Sequence, residues 1–299
     1  MAAEAPAGGL RKRNDGGSRD LTRPPSPEPL PVAIYDNHTH LEFEDGLDVL
    51  DPLESLDRAA QVGVAGVVQV GTDLETSRWS AELAMSDPRV LAAVALHPNE
   101  APKLFAQGQL SAHLSEISRL AAQPRVRAVG ETGLDFFRTG EDGREAQIES
   151  FEAHIDIAKA NGIAVQIHDR DAHASVVSTL KRVGAPERTV FHCFSGDAEL
   201  ARICNEHGWF MSFSGTSTFK NAAGLREALV VAAPELVLIE TDAPFLTPEP
   251  FRGRPNAPYL MPHTVRRMAE VLDEPLDQLC ERLAANTEKV YGSWAMEAA

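Results

Sequence analysis

The stretch "AIYDNHTHL" (residues 33–41) reads as a buried strand that ends in two histidines. On an extended strand, residues two apart point to the same side, so His38 and His40 share one face. Two imidazoles aimed at one space suit a metal ion. Because an HxH tripeptide also occurs by chance at half-exposed strand ends, a metal site requires more ligands elsewhere. What stands at the ends of the other strands therefore decides both the fold and the site.

An alternation of strands and helices follows from Val32 onward. The predicted strands are short β-branched or apolar runs at residues 32–38, 66–70, 90–96, 126–130, 163–168, 189–193, 209–213 and 236–240. Between them lie amphipathic helical patterns with apolar residues near i, i+3, i+4 and i+7, and a last helical region covers 262–292. This pattern predicts an α/β fold, a parallel sheet closed as a TIM (β/α)₈ barrel. A doubly wound open sheet uses the same alternation and stays open at this point.

The first 31 residues have a different composition. They are rich in Gly, Pro, Ser and charged residues and lack apolar periodicity. Such a segment cannot repay the entropy of ordering, so we predict a disordered tail over 1–31 and a single barrel domain over 32–295. Its "RKR" resembles the basic start of a targeting signal, but no apolar core of about 7–15 residues follows it.

Composition limits the location and the partners. The 299-residue chain has no apolar run approaching the ~18 residues of a membrane span. Its three cysteines form no CxxC pair, which fits a reducing compartment, so we expect a cytoplasmic monomer without membrane contact. The formal net charge of −16 argues against a broad basic face that would hold duplex nucleic acid. Metal ions would have to meet a phosphate-bearing substrate locally.

Polar residues stand at the carboxyl ends of six predicted strands. In chain order they are His38 and His40, His97, Glu131, His168, His192 and Asp242. In a barrel these ends converge on one mouth, where catalytic groups are found. Taken singly, each of these residues has an alternative interpretation as a side chain of the rim or the core. For His97 this interpretation and a role in substrate binding have equal weight. As a set they exceed what one tetrahedral ion needs, which predicts a two-metal site bridged by Glu131.

The remaining histidines fall on helical patterns and are expected to be surface or packing residues. They are His113, His154, His173, His207 and His263.

Six motifs carry a resemblance to a known family. They are "DNHTHL", "GETGLDF", "IHDR", "FHCFSG", "IETDAPFL" and "RGRPNAP". In this order they resemble the successive signatures of the TatD family of metal-dependent deoxyribonucleases, from Asp36 to about Asn286. Asn37 and Thr39 stand where Ser and Cys are usual in that family, and Thr132 where Ile is usual. The HxH and GE cores are intact.

The resemblance implies a TIM barrel with a divalent two-metal centre. It implies His38, His40, Glu131 and Asp242 around one ion, and Glu131, His168 and His192 around the other. It also implies a nuclease, supported by Mg²⁺ or Mn²⁺, that trims DNA in the 3′–5′ direction. For some members it implies deacylation of D-aminoacyl-tRNA.

Roles can be assigned to further residues of these motifs. Asp242 is expected to be both a ligand and the proton acceptor, from its place at the last strand end and from the resemblance. Arginines suit the non-bridging phosphate oxygens, and the candidates are Arg170, Arg252 and Arg254. Three carboxylates beside the ligands are expected to orient them: Asp36, Asp135 and Glu240.

The expected function is divalent-metal-dependent phosphodiester hydrolysis at DNA 3′ ends, single strands preferred, with Mg²⁺, Mn²⁺ or Zn²⁺ as the ion. The alternative is a D-aminoacyl-tRNA deacylase, with tRNA as partner, or another amidohydrolase-type hydrolase on the same site. A lactonase or phosphotriesterase would commonly bridge its metals with a carbamylated lysine, but the fourth strand ends in Glu131. A deaminase needs one Zn²⁺ and leaves ligands unexplained. A barrel that serves only as an interaction module would not need all six ligands.

Overall fold

The computed structural model describes residues 11–13 and 19–295. Eight strands form the main sheet, which we number β1 to β8. They are Ile34–Thr39, Val64–Val70, Val90–Val94, Val126–Asp135, Ala164–Arg170, Thr189–Phe191, Phe210–Phe213 and Val237–Ile239. All neighbouring pairs are parallel and follow chain order. The predicted strands are thereby confirmed.

Within the described ranges, ten α-helices cover the sheet and are numbered α1 to α10. They are Pro52–Gln61, Leu74–Ser86, Ala101–Ala106, Leu110–Ala121, Glu141–Asn161, His173–Val183, Ala198–His207, Ala223–Val231, Met261–Leu272 and Leu276–Tyr291. Local sequence sets several of their starts, because an aspartate side chain accepts a hydrogen bond from the first turn. Asp51 caps α1, Asp73 caps α2 in a capping box with Thr76, and Asp197 caps α7.

The sheet closes on itself between β1 and β8. The His40 amide donates to the Ala243 carbonyl at 2.8 Å, and the Asp242 amide donates to the His38 carbonyl at 3.0 Å. These bonds lie just after the last residue of β8 and join the two end strands of the sheet. The TIM barrel prediction is confirmed, and the open doubly wound sheet is excluded. Closure also brings the polar ends of β1 and β8 side by side.

Two irregularities in strand pairing lie at predicted ligands. The register of β1 against β2 shifts between Asp36 and Thr39, and that of β4 against β5 shifts between Val129 and Thr132. Such bulges re-aim side chains near active sites. The first shift contains His38 and the second contains Glu131, so strand pairing is irregular at both predicted ligands.

Gly133 allows β4 and β5 to approach closely beside this second shift. Its φ is +133°, and a Cβ atom there would lie 2.2 Å from the His168 carbonyl oxygen. Only glycine fits this backbone conformation without a collision. The close approach holds His168 next to Glu131.

The segment before β1 differs from the predicted tail. Residues 19–31 lie on the barrel: Leu30 is buried and its amide donates to the Val62 carbonyl at 3.0 Å. The Tyr259 hydroxyl donates to the Pro24 carbonyl at 2.6 Å. The prediction of disorder over 1–31 is therefore wrong for 19–31, because side chains of the barrel satisfy the carbonyl groups of this proline-rich segment. Residues 1–10 and 14–18 lie outside the described part of the chain.

Among the described residues, no helix combines the length and the apolar composition needed to span a membrane.

Candidate metal centre

His38 and His40 meet at the mouth as the HxH spacing predicted. Their Nε2 atoms are 3.3 Å apart, and both side chains are buried. Nδ1 of His40 lies 3.0 Å from the Val70 carbonyl oxygen. Because a carbonyl only accepts, Nδ1 carries a hydrogen, and in the neutral ring Nε2 presents its lone pair to the mouth. A backbone contact of this kind fixes the orientation of a metal-binding imidazole.

Glu131 lies between two sets of imidazoles. Its Oε2 atom is 3.8 Å from Nε2 of both His38 and His40. Its Oε1 atom is 2.6 Å from Nδ1 of His168 and 2.9 Å from Nε2 of His192. The two oxygens of one carboxylate therefore face different histidine pairs.

Asp242 completes the first set. Its Oδ1 atom is 3.6 Å from Nε2 of His40 and 3.8 Å from Nε2 of His38. Asp242 has a φ of 51°, which non-glycine residues rarely adopt and which concentrates at functional sites. We call His38, His40 and Asp242 the inner group, and His168 and His192 the outer group.

The donor set fits a metal cation. Several donor atoms of the inner group and Glu131 are separated by 3.6–3.8 Å, too far for hydrogen bonds. Donors that share one ion at ~2.1 Å lie roughly 3–3.5 Å apart, so small movements would bring these atoms onto a common ion. Three overlapping sets of histidines and carboxylates lie within 4.8 Å: His38, Glu131 and His192; His38, His40 and Asp242; His97, Glu131 and His168.

The charges of the centre are already arranged for cations. Burial would raise the pKa of Glu131, but His192, His97 and His168 outweigh it and hold the pKa well below its usual range. Burial and the neighbouring His192 lower the pKa of His38, which keeps it neutral as a ligand must be. Burial would lower the pKa of His192, but Glu131 and Glu240 hold it well above its usual value. A divalent ion would replace such a proton on binding.

The three carboxylates expected to orient the ligands contact them in different ways. Glu240 lies 3.2 Å from Nδ1 of His192, and Asp135 lies 3.3 Å from Nε2 of His168. Asp36 accepts a hydrogen bond from the amide of His38 at 3.2 Å and others from the amide and hydroxyl of Thr241. Asp36 therefore fixes the backbone of β1 against the chain after β8. These bonds come from amide and hydroxyl groups, not from an imidazole ring of the centre.

His97 reaches the centre with its ring hydrogen toward Glu131. Its Nδ1 atom accepts a hydrogen bond from the Asn99 amide at 3.1 Å, so the hydrogen of the neutral ring is on Nε2. Burial lowers the pKa of His97 and keeps the ring neutral. Nε2 lies 3.5 Å from Oε1 of Glu131. In this tautomer the ring hydrogen of His97 points toward Glu131, and its role in substrate binding stays a prediction.

The predicted arginines separate into two kinds. Arg170 lines the mouth, and its guanidinium lies 3.9 Å from the ring centroid of Phe137. Arg254 instead donates to the carbonyls of Thr22 and Arg23, and Arg252 lies over the ring of Phe219. Neither of these two is among the residues that line the cavity. The structure therefore does not bring Arg252 or Arg254 to the centre. Arg254 instead anchors the segment before β1.

Some residues at the mouth were missed from the sequence. Glu42 lies 3.7 Å from Nδ1 of His40 and accepts a hydrogen bond from Gln69 at 2.7 Å. Its spacing, two residues after His40, was the available signal. Arg11 and Arg138 line the cavity, which has a volume of about 590 Å³. The five histidines assigned to helical patterns do lie on α4, α5, α6, α7 and α9.

Comparisons with known proteins agree with this geometry. A family profile described as TatD related DNase matches residues 35–292. An uncharacterized metal-dependent hydrolase TatD of Mycobacterium tuberculosis is 45% identical over 264 residues, covering 87% of this chain and 98% of that protein. A Citrobacter rodentium protein named 3′-5′ ssDNA/RNA exonuclease TatD is 34% identical over 254 residues, covering 82% and 93%. The crystal structure of YjjV, a TatD homologue from Escherichia coli, superimposes with a TM-score of 0.77 at 28% identity, covering 87% and 98%.

Proposed function

The chain belongs to the TatD-related DNase family of metal-dependent hydrolases, and from this premise we propose that it removes nucleotides from the 3′ end of single-stranded DNA with two divalent ions. Mg²⁺, Mn²⁺ and Zn²⁺ are the candidate ions. Three proposals are separable here: the number of ions, the bond that is cleaved, and the direction of attack on the strand.

The position of Glu131 carries the two-ion proposal. Its Oε2 atom faces His38 and His40, and its Oε1 atom faces His168 and His192. A carboxylate whose two oxygens face separate imidazole pairs is suited to bridge two ions a few ångström apart. A single tetrahedral ion would use only part of this donor set.

Four residues at the mouth have a role in such a reaction. When bound, the ions supply Lewis-acid polarisation of the phosphodiester and activation of a water molecule. The carboxylate of Asp242 accepts a proton from that water molecule and passes it to the leaving oxygen. Nε2–H of His97 and the guanidinium of Arg170 lie at the mouth, where they donate to the phosphate oxygens as charge builds up. His40 stays oriented throughout by the Val70 carbonyl.

Phosphodiester cleavage at single-stranded ends fits the shape and charge of the mouth. The binding groups line one cavity, and the chain as a whole carries a net charge of −16, which opposes a broad grip on duplex phosphates. An exposed Phe137 under the guanidinium of Arg170 offers an aromatic surface beside a cation at the rim. Stacking next to a positive charge is how unpaired bases are commonly held. The activity named for the Citrobacter rodentium relative supports the same assignment.

The test uses purified protein loaded with Mn²⁺ or Mg²⁺. A 3′-labelled single strand, a 5′-labelled copy, the matching blunt duplex and a D-aminoacyl-tRNA are offered in parallel. We expect rapid release of the 3′ label as mononucleotide, slower attack on the duplex and no internal cleavage. Equal rates on single strand and duplex would contradict the end preference. Hydrolysis of the tRNA ester alone would replace the phosphodiesterase assignment with the deacylase.

A further inference from the structure

Arg11 and Lys12, the first two residues of "RKR" (11–13), form a short strand at the mouth. The amide of Arg11 donates to the Glu42 carbonyl at 2.6 Å, and the amide of Arg13 donates to the Glu44 carbonyl at 3.1 Å. Arg11 and Lys12 thereby pair in parallel with Phe43 and Glu44. Because Phe43 stands only three residues after the ligand His40, this pairing places a basic segment directly beside the inner group. We call residues 11–13 the basic arm.

The side chains of the basic arm point in two directions. Arg11 lines the same cavity as the metal-binding residues and forms an ion pair with Asp73, the residue that caps α2. Lys12, the next residue, leaves 85% of its side chain exposed and pairs with Glu44 at 3.6 Å. This alternation is expected of an extended strand. One charge of the arm thus enters the cavity and its neighbour does not.

Arg13 connects the arm to the chain after β8. Its guanidinium donates to the Pro244 carbonyl at 2.6 Å and lies 5.0 Å from the ring centroid of Phe245. Phe245 packs edge-on against Phe43, with ring centroids 5.7 Å apart, and both rings line the cavity. Each ring centroid is also 6.2 Å from that of His40. The arm therefore adds a cation and supports an aromatic wall next to one metal ligand.

The carboxylates and arginines that line the cavity indicate what the arm can bind. Among the described residues, the lining includes five carboxylates, Glu100, Glu131, Asp135, Asp169 and Asp242. Its arginines are Arg11, Arg138 and Arg170. Arg138 follows β4 and Arg170 ends β5, across the barrel from β1, so Arg11 is the lining arginine on the side of the inner group. A cation on this side attracts the phosphates of an anionic strand that crosses the mouth.

Resting on the proposed phosphodiesterase activity, we propose that Arg11 of the basic arm is part of a subsite for single-stranded nucleic acid, where it binds a phosphate next to the one that is cleaved. Phe43 and Phe245 lie beside it as the surface for the adjoining base. The guanidinium offers a planar fork that matches phosphate oxygens, and a base adds stacking energy on an aromatic ring. The arm lies outside residues 35–292, which match the family profile, whereas Phe43 and Phe245 lie inside that range.

The test compares Arg11→Gln with Lys12→Gln in the full-length, Mn²⁺-loaded protein. Both variants remove one positive charge from the same strand, but only Arg11 enters the cavity. Rates are measured on bis(p-nitrophenyl) phosphate, which has one phosphate, and on an oligothymidylate of eight nucleotides, over a series of salt concentrations. Metal content and melting temperature are recorded for each protein.

For Arg11→Gln we expect a KM for the oligonucleotide raised about three- to tenfold, and a slope of log KM against log salt reduced by about one. The rate on bis(p-nitrophenyl) phosphate, kcat on the oligonucleotide and the metal content should stay unchanged. Lys12→Gln should behave as the parent. Equal KM values in Arg11→Gln and parent, or equal effects of the two substitutions, would overturn the subsite. A parallel loss on both substrates would also overturn it, because the arm would then act by holding the metal centre together.

Failure of the proposed function gives a different result. A parent protein with bound Mn²⁺ that cleaves neither substrate refutes the phosphodiesterase assignment, and the subsite falls with it. A parent that cleaves both substrates, with no difference between Arg11→Gln and Lys12→Gln, refutes the subsite alone.

Discussion

The inner and outer groups of the candidate metal centre share Glu131 but differ in how their side chains are held. Both groups are largely buried: the side chains of His38, His40 and Asp242 are 0%, 3% and 13% exposed, and those of His168 and His192 are 17% and 4% exposed. A backbone carbonyl orients His40 in the inner group. Carboxylates orient the outer group: Asp135 contacts His168 and Glu240 contacts His192. The backbone of the inner group forms the closure of the barrel, whereas the outer group lies on strands away from it, and residues of both groups line the cavity.

This difference indicates a division of labour between the proposed ions. The inner group and Glu131 together offer four protein ligands, so an ion there has few positions left for substrate. The outer group and Glu131 offer three and leave open positions, as in catalytic metal sites. We therefore expect the inner ion to be held firmly and the outer ion to exchange and to meet the substrate.

The largest expected effect comes from the residue that both groups share. Glu131→Gln keeps the shape of the side chain but removes the charge between the two histidine pairs. Both ions should be lost on dialysis, and the phosphodiesterase rate should fall by more than about 100-fold, because loss of partners that only orient ligands already costs 10–100-fold. Elemental analysis beside rate measurements checks this. Glu145→Gln, the same change on the exposed face of α5, is the matched control.

Single-ligand variants should separate the two groups. His168→Ala is expected to keep one ion that survives dialysis, since the inner group stays complete. His40→Ala should bind one ion before dialysis and lose it during dialysis. Metal content before and after dialysis distinguishes the two, with circular dichroism to confirm folding. Identical retention in both variants would show that the groups do not differ in the way their numbers of ligands indicate.

A smaller effect is expected from a residue that orients a ligand. Asp135→Asn keeps the size of the side chain but removes the charge that faces Nε2 of His168. Affinity for the outer ion should fall about tenfold, while the inner ion is unaffected. Titration of the metal-free protein with Mn²⁺ measures both affinities. Asp156→Asn on the exposed surface of α5 should match the parent, and a loss at both sites in Asp135→Asn would contradict the separation.

The smallest expected effect concerns stability outside the centre. Leu30 is buried on the barrel in a segment without regular structure. Leu30→Ala should cost about 2 kcal/mol, the low end for a buried leucine, and lower Tm by roughly 4–8 °C. Metal content should not change. Leu47→Ala is the control because its side chain is 72% exposed. Equal melting temperatures of the Leu30→Ala and Leu47→Ala proteins would show that the segment does not contribute to folding.

Periodicity predicted most of the fold because burial of strands and amphipathic helices imprints directly on the sequence. The HxH spacing likewise predicted that His38 and His40 converge, since strand geometry dictates it. The bulges at His38 and Glu131 were not predictable, because they depend on pairing with neighbouring strands. The family resemblance, and not the spacing, implied which histidines accompany each oxygen of Glu131. The cytoplasmic location and the monomeric state stay predictions.

The arginines show where sequence reasoning fails. Arg254 follows the last strand in a glycine- and proline-rich loop, which suggested a substrate contact. Its partners are the carbonyl oxygens of Thr22 and Arg23, and backbone acceptors leave no mark on side-chain patterns. For the same reason, the segment 19–31 looked unable to fold: its composition is polar and proline-rich, but the barrel supplies the hydrogen-bond donors. Arg11 reaches the mouth through its pairing with Phe43, in the segment that follows β1.

The central claim is that Glu131 is shared by two ions, and electron paramagnetic resonance of the Mn²⁺-loaded protein tests it most directly. Two Mn²⁺ ions per chain that share a carboxylate should give an exchange-coupled spectrum, and the Glu131→Gln protein should lose it. A spectrum of one isolated Mn²⁺ ion per chain, or of two uncoupled ions, would contradict the account.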